Sequence, residues 1–238
     1  MFFWNPTYFI FALPALILAF YAQWRVQSAY NKWLRVRNAR GLTGLDAAKM
    51  LLRANNLGHV GIEGTPGSLT DHYDPRTQTM RLSPDVANSN SIAAMAVVAH
   101  EIGHAVQDAQ AYVPMKVRSA IVPGVQIGSW LGPILFLVGW LLAIYFNSPF
   151  GYQLAWIGVV FFAGALVFAF ATLPVEFNAS ARAKAMLTDA GLIYSDDEMK
   201  GVRSVLDAAA LTYVAAAAQA LSTLLYYIFL LGGFRRRS

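Results

Sequence analysis

The sequence predicts a mainly α-helical integral membrane protein, with about four transmembrane helices and a small α+β domain carrying a histidine-bearing helix and a β-hairpin. Three observations predict it. Hydrophobic residues make up 57% of the 238 residues and charged residues only 13%, where soluble domains carry about 25% charged. The missing charge is missing in blocks: residues 1–24, 119–175 and 208–234 contain no Asp, Glu, Lys, Arg or His. Residues 41–118 form the one sizeable polar stretch, and its pattern changes from helix to strand and turn and back to helix.

A bilayer core needs about 20 mostly apolar residues per helix. The first and last blocks therefore fit one crossing each, and the middle block fits two, joined at "NSPFG" (147–151). Helices are expected near 3–23, 125–146, 152–174 and 209–231. The first block lacks a basic n-region and a small-residue cleavage site, so 1–24 reads as a retained anchor. It is followed by Arg25, Lys32, Arg35, Arg37 and Arg40 with no acidic residue before Gly41. The positive-inside rule then assigns 25–118 and 176–207 to the cytoplasmic face of a multi-pass inner (cytoplasmic) membrane protein. Around them lie the helix pair 119–175 and a C-terminal segment 208–238, a hydrophobic helix with a basic tail. Four crossings leave the terminal "RRRS" outside, against that rule. The net charge of +5 resides in juxtamembrane clusters suited to anionic lipid. It gives no basis for nucleic acid binding. With no cysteine, disulfides, thiolate metal sites and cysteine nucleophiles are excluded.

Within the polar stretch, "TGLDAAKMLLRANNLG" reads as a helix capped by Thr43 and ended by Gly58, with Ala47, Met50 and Leu51 as its apolar stripe. The following 59–84 segment suggests a short strand and a hairpin turning near Pro75–Thr77, stopped by Pro84. Ser91 is a good N-cap for a helix over 91–110. "YVPMKVRSAIVPG" reads as a proline-marked connector.

The 91–110 helix carries His100, Glu101 and His104. Four residues apart on a helix, the two imidazoles share a face and can share an ion. Glu101 lies beside that ion, placed to act as general base toward a water. This is the H-E-x-x-H arrangement, and with four His and four Glu in the chain a chance match is on the order of one in a thousand. The competing reading is a helix with two packed histidines. Gly103, between them, weakens a helix by about 1 kcal/mol relative to alanine; close approach of substrate or tight helix packing would each account for it.

A third ligand must come from a short roster. His59 and His72 are the remaining histidines. Asp108, one turn past His104, points along the helix and reads as a supporting or surface group. Glu176 is the next acid, at the end of the long apolar block, where a carboxylate needs a partner. Zinc would be one; Arg182 or Lys184 would be another.

"HEIGHAVQ" followed by "EFNASARA" resembles the gluzincin pattern of membrane-embedded metallopeptidases. "DHYDPRTQTMRLSP", "SIAAMAVVAHEIGHAVQDAQ" and "LPVEFNASARA" together make the whole chain similar to the YugP-like membrane zinc metallopeptidases of bacteria. The resemblance implies a zinc-peptidase domain holding one Zn2+ through His100, His104 and Glu176, with Glu101 as catalytic base. Ser180 stands where the wider pattern has Asp, leaving the orienting role to Asn178, Ser180 or Arg182. His72, Tyr73 and Arg182 are candidates for oxyanion stabilisation, with Asn178 a further candidate for substrate contact. "TMRLS" (79–83) is expected to be the edge strand on which an extended substrate lies.

The expected function is a zinc-dependent membrane endopeptidase acting on membrane or membrane-associated polypeptides. Its partners would be the lipid bilayer and a polypeptide substrate, with a homo-oligomer or membrane partner proteins compatible. The alternative is a catalytically silent zinc-binding scaffold or chaperone-like protein. A metal transporter is disfavoured, because the apolar blocks hold no charged residue or histidine to form an ion path.

Overall fold

The computed structural model describes residues 6–232. The first five residues of the anchor segment and the terminal arginines therefore lie outside the described residues. The chain is mostly helical, with α1 (Pro6–Leu34), α2 (Gly44–Ala54), α3 (Pro84–Ala87), α4 (Ile92–Ala109), α5 (Val113–Phe146), α6 (Pro149–Asp189) and α7 (Asp196–Gly232). Three short strands, β1 (Gly61–Gly64), β2 (His72–Asp74) and β3 (Thr79–Leu82), form one sheet.

Among the described residues, four helices are long and apolar enough to cross a membrane: Thr7–Leu34, Val113–Phe146, Pro149–Asp189 and Asp196–Gly232. They are longer than the apolar blocks from which they were expected. At 1.5 Å per residue the 41 residues of α6 run for about 60 Å, twice the hydrocarbon thickness of about 30 Å. Charged residues continue the helices because hydrogen bonding along a helix does not depend on which solvent surrounds it. The "YVPMKVRSAIVPG" connector is accordingly helical from Val113 on. Pro114 occupies the first turn, where its missing N–H costs nothing, and Pro123 lies inside the helix. The turn at 147–151 is tighter than expected: Asn147 takes a positive φ of 51°, and Pro149 already opens α6.

The chain divides into two compact units. One contains the chain up to Tyr21, Lys116–Leu173 and the chain from Tyr213 on. Its apolar core centres on Phe136, Ala155, Val159 and Leu231, with Phe136 stacked on Tyr227 at 4.0 Å between ring centroids. Gly139 and Gly158 let α5 and α6 touch there: a Cβ on either would strike the backbone of Ala155 or Phe136. Close approach through small residues is how helices pack where no hydrophobic force drives them together.

The other unit, Ala22–Met115 with Pro174–Thr212, has a core built round α4. Ala93, Ala94, Ala96, Val98, Ala99 and Ile102 are all fully buried, which is why this helix is so poor in polar residues. Thr43 caps α2 in a capping box with Asp46. α2 stops at Ala54, with Asn55 as its C-cap and Asn56 at a φ of 59°, earlier than Gly58. Its buried face is Ala47, Ala48, Leu51 and Leu52; Met50 is exposed, because the stripe turns toward 48 and 52. Ser91 caps α4 by accepting from the Ala94 N–H.

The hairpin forms where expected, with β2 antiparallel to β3. However, β1 also pairs with β3, in parallel, so the strand order is β1-β3-β2. Residues 79–82 are therefore the central strand, not an edge; the edges are β1 and β2. Pro84, expected only to stop the run, also opens the short α3.

Candidate metal centre

α4 and the distal half of α6 bring the polar side chains together. Gly103 is what permits it: a Cβ there would lie 2.7 Å from the Ala179 carbonyl oxygen. Of the two explanations for this glycine, helix packing is the one seen. Glu176 and Ser180 flank Ala179 by one helical turn or less, so the same close approach carries them onto the histidines.

The Glu176 Oε2 atom lies 3.2 Å from His100 Nε2 and 3.5 Å from His104 Nε2. The three donor atoms fall within 4.8 Å of one another, and these side chains form a group that could hold a metal ion among the described residues. Zinc at about 2.0–2.1 Å from tetrahedral ligands sets ligand–ligand edges of about 3.3 Å. The two observed edges bracket that value. Glu176 is 3% exposed; Arg182 bonds Asn178 and Gln110, and Lys184 lies 4.0 Å from Asp207.

The electrostatics favour a cation. Burial pulls the His104 imidazole toward its neutral form, but its hydrogen bond to the Glu176 carboxylate and the charges of Glu101 and Glu176 outweigh it and raise its pKa. A divalent ion between these groups would meet the same field. Burial raises the Glu101 pKa, opposed by His100, His104 and the Tyr73 N–H.

Both imidazoles are held from behind. His100 Nδ1 lies 3.2 Å from Ser180 Oγ, and His104 Nδ1 lies 3.0 Å from Gln107 Oε1. Each Nδ1 contact leaves Nε2 directed at Glu176. Ser180 is thus the hydroxyl partner of His100. Gln107 is fully buried and was not singled out from sequence. Its signal was available: it lies three residues after His104, the spacing at which helical side chains meet.

The remaining candidates separate. Tyr73 reaches the site twice: its N–H donates to Glu101 Oε2 at 2.9 Å and its hydroxyl donates to Asp108 at 2.9 Å. Burial and Asp108 raise the Tyr73 pKa, so the phenol stays a neutral donor. His72, one residue earlier on the strand, points the other way by β alternation; it is exposed, with Nδ1 2.8 Å from the Thr70 carbonyl. His59 is exposed. Asn178 and Arg182 lie on the Nδ1 side of His104, joined to it through Gln107. A third buried glutamate, Glu198, is engaged elsewhere, accepting from the backbone N–H groups of Ala39 and Tyr194.

A family model described as "Putative neutral zinc metallopeptidase" matches residues 8–232. The chain belongs to that family. It is also 42% identical over 223 residues, 93% of this chain and 96% of the relative, to "Putative membrane protease YugP" of Bacillus subtilis (strain 168). No solved structure gives a significant match. The family implies zinc, and the buried His–His–Glu group is able to hold it.

Proposed function

We propose that the protein is a zinc-dependent endopeptidase of the membrane, cleaving membrane or membrane-associated polypeptides. The observation that carries this reading is the convergence of His100, His104 and Glu176 beside a glutamate that is not needed as a ligand. Zinc held by those three residues supplies Lewis acidity, acidifying water and polarising a carbonyl.

The chain's own residues supply the rest. Glu101 Oε2 is fixed by the Tyr73 N–H, which leaves Oε1 to take a proton from the attacking water. As the C–O bond forms and the C–N bond breaks, Glu101 passes that proton to the departing amine nitrogen. The fixed carboxylate pays no reorientation cost at that step. β2 is the edge strand facing α4, so an extended polypeptide would pair there. The basic run from Arg25 to Arg40 supports a cytoplasmic active site on a multi-pass inner-membrane protein.

Glu101→Gln tests the reading. The amide keeps the volume and the contact with Tyr73 but cannot accept the proton. Zinc content should stay at the wild-type level while cleavage of a membrane-associated test polypeptide falls at least a hundredfold. Unchanged cleavage would remove Glu101 from the mechanism, and no cleavage by the zinc-loaded wild type would favour the silent scaffold.

A further inference from the structure

Behind His104 runs a chain of hydrogen bonds whose direction is fully determined by its far end. Arg182 is a donor only, and its Nε donates to Asn178 Oδ1 at 2.7 Å. Asn178 must therefore present its oxygen, not its nitrogen, to this junction. Gln107 meets the same oxygen at 3.0 Å with Nε2 and also reaches the Val175 carbonyl at 2.8 Å. Both partners are acceptors, so the Gln107 amide can stand only one way round. Its Oε1 then faces His104 Nδ1 at 3.0 Å, and an oxygen there requires that Nδ1 carry the hydrogen. Arg182 is in turn anchored by Gln110 Oε1 at 2.7 Å and lies over the Tyr112 ring at 5.8 Å.

We propose that Gln107 is the positioning residue of the metal site, its amide locked by Val175, Asn178 and Arg182 so that His104 keeps its hydrogen on Nδ1 and offers Nε2 to the metal beside Glu176. The inference rests on the zinc reading above and adds a residue that reading does not need. The two histidines are then held differently. The Ser180 hydroxyl can donate or accept, and so tolerates either tautomer of His100, whereas the Gln107 oxygen tolerates only one state at His104 Nδ1. A neutral amide also leaves the charge of the zinc ligands to Glu176 alone, where a carboxylate behind the imidazole would add a second negative charge.

The test uses full-length protein in detergent and zinc dissociation constants from chelator competition. Gln107→Leu removes the acceptor but keeps apolar bulk; Gln107→Glu keeps an acceptor toward His104 but exchanges the donor to Val175 and Asn178 for an oxygen and introduces a buried charge. A residue needed only for packing would tolerate Leu better than Glu. The proposal predicts the reverse order: zinc affinity lowered 10–100-fold in Gln107→Leu, the range for lost partners of ligating histidines, and nearer wild type in Gln107→Glu. Leu binding zinc as tightly as wild type, or more tightly than Glu, overturns it. Because these variants could fail to fold, wild type labelled with 15N-histidine supplies a second reading. The chain has only four histidines, and the zinc-loaded protein should show a slowly exchanging Nδ1 proton that disappears in His104→Asn. A wild-type spectrum without it overturns the proposal. A wild type that binds no zinc at all strikes the underlying zinc reading instead, which separates the two failures.

Discussion

Gly103→Ala is the sharpest perturbation of the site that touches no functional side chain. The added Cβ would lie 2.7 Å from the Ala179 carbonyl oxygen, 0.7 Å inside the 3.4 Å at which ordinary contact begins. Neither side is a flexible side chain, so α4 and α6 must part by several tenths of an ångström. Overpacking of this kind costs about 1–3 kcal/mol, while alanine returns about 1 kcal/mol of helix propensity. Net stability should therefore fall by about 0–2 kcal/mol. The ligand geometry has no such compensation. Parting the helices by 0.7 Å would widen the 3.2 Å His100–Glu176 edge to about 3.9 Å, beyond the ±0.2 Å that metal–ligand distances tolerate. Zinc affinity should fall at least tenfold, about 1.4 kcal/mol, with a melting temperature within a few degrees of wild type. Chelator competition and thermal unfolding on the same preparations check both halves. Gly58→Ala is the control, since a Cβ there meets nothing within 4 Å. Gly103→Ala with a zinc dissociation constant within twofold of wild type would refute the reasoning.

Other changes should separate the supporting contacts. Ser180→Ala leaves His100 Nδ1 without its 3.2 Å partner and should lower zinc affinity about tenfold, read by the same competition. Tyr73→Phe removes the bond to Asp108 but keeps the backbone N–H on Glu101. It should cost about 1 kcal/mol of stability, slow cleavage severalfold as β2 loosens from α4, and leave zinc content unchanged. Removing zinc with a chelator should lower the melting temperature, and resupplying it at 100 times its dissociation constant should restore about 2.7 kcal/mol; equal melting curves would count against a site formed in the folded protein.

The site was legible in the sequence because the chain is so poor in alternatives. Four histidines and few acids kept the roster of third ligands short, the resemblance to the membrane metallopeptidases pointed to Glu176 within it, and Ser91 with an apolar α4 marked the helix. Gly103 was visible as an anomaly, though only the position of Ala179 decides between substrate and helix as its neighbour. What the sequence did not reveal depends on distant pairing. β3 looks like an edge because its partner β2 is close in sequence; the parallel pairing with β1 leaves no local signal, and it moves the edge to β2. The lengths of α5, α6 and α7 were underestimated because hydropathy marks where a helix meets lipid, not where its hydrogen bonding ends. Gln107 escaped notice because glutamine carries no metal or acid–base chemistry of its own; its importance lies in the orientation that Asn178 and Arg182 impose.

The most direct test of the account is elemental analysis of the detergent-purified protein beside His100→Ala and Glu176→Ala. The account predicts about one zinc per wild-type chain and loss of zinc from both variants. Zinc held as firmly by Glu176→Ala as by wild type would contradict it, leaving the histidine helix without the carboxylate that the packing of α4 on α6 delivers.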